Sequence, residues 1–203
     1  MMNRRSLVTL ASATVLTAAL PARASTPVPL PQISAYLQGL GEAQARFRQI
    51  NADGSQSTGT LFLKRPGRAR FEYDAPAEVL VMIGSGTVAI FDDRGDSNPE
   101  SYPLRRTPLN VLLSRRVDLA GSDMITGHRR DGEFTTIIAR DPDNPEYGTI
   151  ALQFLEQPLR LAQWIIVGES GEQTVVELGP LETPEPLSAF LFDITYEKRQ
   201  RER

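Results

Sequence analysis

The fold class is decided by one stretch, Gly59-Thr60-Leu61-Phe62-Leu63-Lys64-Arg65-Pro66-Gly67-Arg68-Ala69-Arg70-Phe71-Glu72-Tyr73. Its first part alternates with a period of two, which places Leu61, Leu63 and Arg65 on one face of an extended strand. Pro66-Gly67 is a typical turn pair, and a second run rich in strand-forming residues follows it. The stretch therefore predicts a β-hairpin of two antiparallel strands.

The same pattern of apolar runs and turn residues continues along most of the chain. Turns are predicted at Asp53-Gly54, Gly84-Ser85-Gly86, Asp131-Gly132 and Ser170-Gly171. We predict eleven strands, near residues 43–51, 57–65, 68–74, 78–83, 87–93, 122–130, 133–140, 147–155, 160–168, 173–179 and 188–196. A twisted sheet of that size curls into a barrel or splits into two layers. The chain is therefore predicted to be mainly β, with an antiparallel sheet.

Several strands are apolar on both faces. Leu80 and Met82, for example, lie opposite Val79, Val81 and Ile83. One face could pack within the fold while the other lines a cavity or is covered by a helix. The pattern alone leaves a filled core and a hollow one equally open.

Two short helices interrupt the strands. Apolar residues at positions i, i+3, i+4 and i+7 predict a first helix over Pro31 to Leu40. A second helix is predicted over Thr107 to Ser114, with Thr107 as its N-cap and Pro108 in its first turn. Both helices are expected to lie with their apolar side against the sheet.

Residues 1–24 have the features of a cleaved signal peptide. Arg4 and Arg5 precede an apolar run of 14 residues, and Ala22-Arg23-Ala24 fits an A-x-A cleavage site. That run is shorter than the ~20 residues of a membrane-spanning helix. The general secretory route is favoured, although Arg4-Arg5-Ser6-Leu7 partly resembles a twin-arginine signal. Residues 25–203 are predicted to form one exported domain.

Composition argues against several classes of function. The chain has no cysteine and one histidine, His128, which removes disulfides and zinc–thiolate sites and leaves little for His-based catalysis. Loss of Arg4, Arg5 and Arg23 with the signal peptide changes the formal net charge from −3 to −6, which disfavours a nucleic-acid partner. The composition therefore leans against an enzyme, and we predict no metal and no cofactor.

Two single residues are of interest on chemical grounds. Arg65 ends an apolar row, so its five N–H donors need partners or solvent. Extension of the side chain to solvent and a specific bonded role are both open from the pattern. Trp164, the one tryptophan, is expected to be a packing residue.

The order and spacing of several blocks closely resemble the outer-membrane lipoprotein carrier protein (LolA) family. Beside the stretch quoted above, the blocks are Phe47-x-Gln49, Pro76, Val88-Ala89-Ile90-Phe91-Asp92, and Thr107-Pro108-Leu109 with Leu112-Leu113. They cover roughly residues 30–180. The resemblance implies a strongly curved antiparallel sheet that forms an open half-barrel, with short α-helices as a lid over a hydrophobic cavity.

The same resemblance implies a monomeric periplasmic chaperone that is not an enzyme. Such carriers take triacylated lipoproteins from an inner-membrane lipoprotein-releasing ABC transporter complex and pass them to an outer-membrane lipoprotein acceptor. The acceptors carry a lipidated N-terminal cysteine, and this chain has none, so the carrier is favoured. A related half-barrel that binds another lipid or senses lipoproteins is the alternative, followed by an exported hydrolase and a structural envelope protein.

The resemblance also assigns roles to residues of this sequence. Arg65 matches an arginine whose hydrogen bonds hold the lid closed. The expected lining of the cavity combines strand and lid residues: Leu37, Leu40, Leu61, Leu63, Phe71, Tyr73, Val81, Ile83, Val88, Ile90, Leu109, Leu112, Leu113 and Trp164.

The C-terminal end departs from the family pattern. Family members commonly finish a Phe-x-Phe strand with a tail that contains proline and glycine, whereas this chain ends in a charged run, Glu197 to Arg203. We expect a last strand over 188–196 and a frayed, solvated tail after it.

Overall fold

The computed structural model describes residues 26–92, 98–183 and 185–203 of the chain. The predicted signal peptide, residues 1–24, lies outside the described residues. Helix α1 spans Leu30–Gly39, α2 spans Asn110–Leu113 and α3 spans Ile194–Arg201. Short 3-10 helices lie at Leu104–Arg106, Pro145–Tyr147 and Ala189–Phe192. No helix in the described ranges is long and apolar enough to cross a membrane.

Strands β1 to β11 make up one antiparallel sheet in the described ranges. Their bounds are Glu42–Ile50, Gln56–Lys64, Ala69–Tyr73, Val79–Gly84, Thr87–Asp92, Glu100–Pro103, Ile125–Asp131, Phe134–Arg140, Thr149–Glu156, Leu159–Val167 and Gln173–Leu178. The order across the sheet is β6-β5-β4-β3-β2-β1-β11-β10-β9-β8-β7, and β6 and β7 are its two edges. The sheet is therefore open and does not close into a barrel.

The sheet is strongly curved. The ring of Phe71 in β3 lies 6.2 Å from the ring of Trp164 in β10, in an edge-to-face contact. Three strands separate β3 from β10 in the sheet, so the two would be about 19 Å apart if the sheet were flat. Only a sheet that curls toward these side chains can bring them together, which confirms the predicted half-barrel.

The two faces of the sheet are covered by different segments. The inner face, which carries Phe71 and Trp164, packs against α1 and α2 in one large apolar cluster. The outer face of β4 and β5 carries a small apolar cluster, Leu80, Met82, Ala89 and Phe91, and Ile194 of α3 packs on it. Strands β4 and β5 are therefore apolar on both sides because helices pack on both sides of this part of the sheet.

The predicted last strand over 188–196 is wrong. This segment forms the 3-10 helix Ala189–Phe192 and the start of α3, and the Asp193 side chain caps α3 by accepting the Tyr196 N–H. The predicted frayed tail is also wrong, because Glu197 of α3 pairs with Arg70 at 3.0 Å. Arg70 also donates to the Leu191 carbonyl at 3.3 Å, so the C-terminal segment is held on the outer face.

Two smaller differences concern the region between β5 and β7. Strand β6, Glu100–Pro103, was not predicted, and it brings the number of strands back to eleven. The second helix is shorter than predicted, since α2 covers only Asn110–Leu113. Thr107 is not its N-cap, because the Thr107 hydroxyl donates instead to the Leu104 carbonyl of the preceding 3-10 helix.

Candidate functional site

The inner face of the sheet is the main apolar surface of the protein. Pairing places Leu61 opposite Phe71, and Ile83 opposite Val88, so that neighbouring strands present their apolar side chains on one face. The strand residues of the expected lining that belong to the buried inner cluster are Leu61, Leu63, Phe71, Ile83, Val88 and Trp164. Tyr73 and Val81 are half-buried and pack against it.

Ile90 is the exception among the expected lining residues. It lies opposite Val81 in the β4–β5 register and therefore on the inner face. Its side chain is half-buried and is not part of the packed inner cluster.

The lid is made by α1, by α2 and by the chain that follows α2. Leu37 of α1 and Leu112 and Leu113 of α2 are buried in the inner cluster, and Leu40 and Leu109 pack against it. The Leu37 side chain has no exposed surface, and Leu112 keeps 3%. In this conformation the helices fill the space over the inner face of the sheet.

The second half of the sheet contributes residues that the sequence analysis did not assign to the site. Strands β8 to β11 add Ile137, Ile150, Leu152, Phe154, Leu161 and Val176 to the inner cluster. A signal was present for β9, where Ile150, Leu152 and Phe154 alternate with a period of two. The inner surface therefore extends over β8, β9 and β11 as well as the strands that the sequence predicted.

Helix α1 is attached to this second half of the sheet. The ring of Tyr36 meets that of Phe154 edge-on at 6.1 Å. The Tyr36 hydroxyl oxygen accepts the Leu161 N–H at 3.1 Å. The pairing of β10 with β9 shifts register between Leu161 and Gln163, at this same point. Burial raises the pKa of the Tyr36 phenol, so the group stays neutral against the sheet.

Arg65 joins the first half of the sheet to the lid. It follows β2 on the inner side, and its Nη2 donates to the Ser114 carbonyl, just after α2, at 2.8 Å. The Nε and Nη1 groups are buried without a hydrogen-bond partner. Burial accordingly lowers the pKa of the Arg65 guanidinium. The side chain is bonded to the lid and not simply extended to solvent.

Other polar contacts join the lid segments to one another and to the same hairpin. The Gly67 N–H donates to the Leu113 carbonyl at 2.9 Å, beside the Arg65 bond. Gln38 of α1 donates to the Arg115 carbonyl at 3.3 Å and accepts the Val117 N–H at 3.1 Å. The chain after α2 is thus held between α1 and the β2–β3 hairpin.

Comparison with known proteins places this architecture. The family model for outer membrane lipoprotein carrier protein LolA matches residues 38–195. A Coxiella burnetii (strain CbuK_Q154) outer-membrane lipoprotein carrier protein is 25% identical over 171 residues, 80% of each chain. One from Xylella fastidiosa (strain Temecula1 / ATCC 700964) is 29% identical over 160 residues, 71% of this chain and 72% of its own.

The fold has a counterpart among solved structures. A putative outer membrane lipoprotein-sorting protein domain from Vibrio parahaemolyticus aligns with a TM-score of 0.51 at 11% identity. The alignment covers 84% of this chain and 97% of that one, so the likeness extends over the whole domain.

An open, curved antiparallel sheet with helices packed on its apolar inner face defines this protein as a lidded half-barrel. The family match covers more than three quarters of the sequence. The chain belongs to the LolA family, as the sequence blocks predicted.

Proposed function

We propose that this protein is a periplasmic carrier that binds the acyl chains of lipoproteins between the inner face of its sheet and its lid. The observation that carries this proposal is the lid itself, which covers a wide apolar surface and is fastened to the first half of the sheet by Arg65. Family membership and relatives named outer-membrane lipoprotein carrier proteins support it. The protein would act without a catalytic step.

Energetics explain why such a carrier is needed. Moving an acyl chain into water costs about 0.8 kcal/mol per methylene, so three long chains require on the order of 30 kcal/mol. Free diffusion between membranes is then excluded. A surface that replaces lipid contacts with side-chain contacts makes transfer nearly isoenergetic, and small differences in affinity can set its direction.

Acyl chains and lid helices can replace each other reversibly on the inner face of the sheet. Five side chains of the two lid helices are buried against the inner face: Ile33, Leu37, Val111, Leu112 and Leu113. At about 1.5–3 kcal/mol each, uncovering them costs roughly 7–15 kcal/mol, which about 9–19 buried methylenes offset. One or two long acyl chains are therefore enough to replace the lid helices on the sheet.

We assign Arg65 the role of a latch in this exchange. Its bond to Ser114 exists only while the chain after α2 lies against the β2–β3 hairpin, so the bond favours the closed, empty form. The expected lining residues, Ile90 included, would contact the acyl chains once the lid has moved. Closure of the lid would then help to expel cargo toward the acceptor.

The proposed route has two membrane partners. Export would remove residues 1–24, an inner-membrane lipoprotein-releasing ABC transporter complex would supply triacylated lipoproteins, and an outer-membrane acceptor would receive them. This order follows from the family, and it requires that the carrier bind cargo less tightly than the acceptor does.

Mass spectrometry of the protein purified from the periplasm tests the proposal. Co-purified lipoproteins, and release of lipoproteins from inner-membrane vesicles by the added protein, are the expected results. A protein that carries another amphiphile instead would indicate a related half-barrel with different cargo. A protein that neither carries lipid nor releases lipoproteins would contradict the proposal.

A further inference from the structure

The lid carries a charge that is opposite to that of the chain as a whole. Residues 104–116, which we call the basic lid segment, contain four arginines and no acidic residue. The arginines come in two pairs, Arg105-Arg106 before α2 and Arg115-Arg116 after it. The whole chain has a formal net charge of −3, so positive charge is concentrated at the lid.

These arginines are available to a partner. All four are exposed, and none takes part in an ion pair recorded among the described residues. Three other exposed arginines are paired with carboxylates: Arg46 with Asp74, Arg48 with Glu177 and Arg129 with Asp131. The fold gives no structural reason for four unneutralised guanidinium groups on one short segment.

The underside of the basic lid segment is apolar. Leu104, Val111, Leu112 and Leu113 are all buried in the inner apolar cluster, together with the rest of the lid. When the lid lifts, this apolar side loses its cover, while the arginines stay on the opposite side. The segment then has the composition of a chain that lies in a membrane interface, basic on one side and leucine-rich on the other.

We propose that the basic lid segment binds the anionic phospholipid surface of a membrane, and that this contact favours lid opening there. Guanidinium groups form paired hydrogen bonds with phosphate, and the headgroup region can take up the apolar underside that opening exposes. An acidic protein would match the charge but would also need an apolar groove for the underside. The proposal rests on the proposed function, because lid opening at a membrane has a use only if cargo is exchanged there.

The negative charge of the remaining chain adds orientation. An anionic surface repels the acidic parts of the molecule and attracts the lid, so the protein should approach with its lid first. The attraction acts within about 10 Å at moderate ionic strength and is lost at high salt. Opening would therefore be coupled to arrival at a membrane and suppressed in the aqueous space between membranes.

Vesicle co-sedimentation tests the proposal. The purified protein should partition onto phosphatidylcholine vesicles that contain phosphatidylglycerol, at low salt, and not onto phosphatidylcholine alone. Each arginine near an anionic surface contributes about a fivefold factor, so Arg105→Gln with Arg106→Gln should lower partitioning roughly 30-fold. Arg115→Gln with Arg116→Gln should have a similar effect.

A matched control has the same change in net charge outside the lid. Arg129 and Arg199 are exposed on β7 and α3, and Arg129→Gln with Arg199→Gln should leave partitioning within a few-fold of the original. Circular dichroism of all variants establishes that they are folded. An equal loss in the lid and control variants, or no preference for anionic vesicles, would overturn the proposal.

Binding of a triacylated lipopeptide in the absence of vesicles separates this proposal from the proposed function. A protein that binds the lipopeptide but ignores anionic vesicles would overturn only the membrane contact. Loss of lipopeptide binding itself would overturn the carrier function.

Discussion

Replacing Arg65 by leucine tests whether the lid is latched. The variant loses the 2.8 Å bond from the guanidinium to the Ser114 carbonyl. Hydrogen bonds of charged groups contribute about 1.5–3 kcal/mol, and the two buried donors without partners offset part of this. We therefore take the lower figure, which shifts the balance between the closed and open lid about tenfold toward the open form.

Hydrogen exchange gives a local measure of this shift. The Gly67 amide donates to the Leu113 carbonyl only while the lid is closed, so its exchange should be about tenfold faster in Arg65→Leu. In a two-step assay, the variant should still accept lipoprotein from inner-membrane vesicles but pass it on poorly to outer membranes, because the open form keeps cargo.

Lys64→Leu is the matched control at the neighbouring position. Lys64 lies on the opposite face of β2, where it pairs with Glu42 and donates to the Leu187 carbonyl, and it makes no contact with the lid in these bonds. This control should leave Gly67 exchange and onward transfer unchanged. Unchanged exchange and normal onward transfer in Arg65→Leu would refute the latch and leave Arg65 a packing and solvation role.

Three further predictions follow from other positions. Leu112→Glu should abolish lipopeptide binding yet leave a folded sheet, because a lid helix can turn the introduced carboxylate to water. Leu152→Glu should unfold the protein, because its carboxylate would stay buried in the sheet. Circular dichroism separates these outcomes. Gly59→Ala should lower the free energy of unfolding in urea by about 1–3 kcal/mol, since a Cβ would lie 2.2 Å from a carbonyl oxygen, whereas Gly39→Ala, with open space, should not. Burial raises the pKa of Tyr73 from 10.0 to about 12, so stability should fall as pH rises from the lower value to the higher. Tyr73→Phe should reduce that fall without abolishing it, because burial raises the pKa of Tyr36 as well.

The hairpins of the first half of the sheet could be predicted because their signals are local. Alternation with a period of two and turn residues such as Pro66-Gly67 lie within a few positions of one another. Gly67 and Gly86 adopt positive φ angles of 69° and 76°, which glycine tolerates without strain. Strand β6 could not be predicted because its four residues, Glu100–Pro103, are too few to show a clear alternation of apolar and polar side chains.

The C-terminal segment could not be predicted, because its structure depends on distant partners. Phe190 to Tyr196 has the composition of a strand, but the last strand, β11, lies inside the sheet between β1 and β10. A further strand next to it has no free edge to pair with. The segment instead packs Ile194 on the outer apolar cluster and accepts bonds from Arg70, which is more than 120 residues away in sequence.

The sequence could predict on which face of the sheet a site residue lies, but not which residue it contacts. The period of two places Arg65 on the face of Leu61 and Leu63, and the structure has it there. Its partner, Ser114, is 49 residues away, so no local pattern could choose between solvent and a bonded role. Apart from Trp164, the inner-face residues of β8 to β11 could not be assigned to the site for the same reason, since only the curvature brings them opposite β2 and β3.

Fluorescence of Trp164 tests the central claim most directly. It is the single tryptophan, it is 1% exposed, and it lies on the inner face against Phe71. A triacylated lipopeptide with brominated acyl chains should quench its emission on binding, while the same peptide without acyl chains should not. Lipopeptide that binds without quenching Trp164, or that does not bind, would contradict the claim that acyl chains occupy the space between the sheet and the lid.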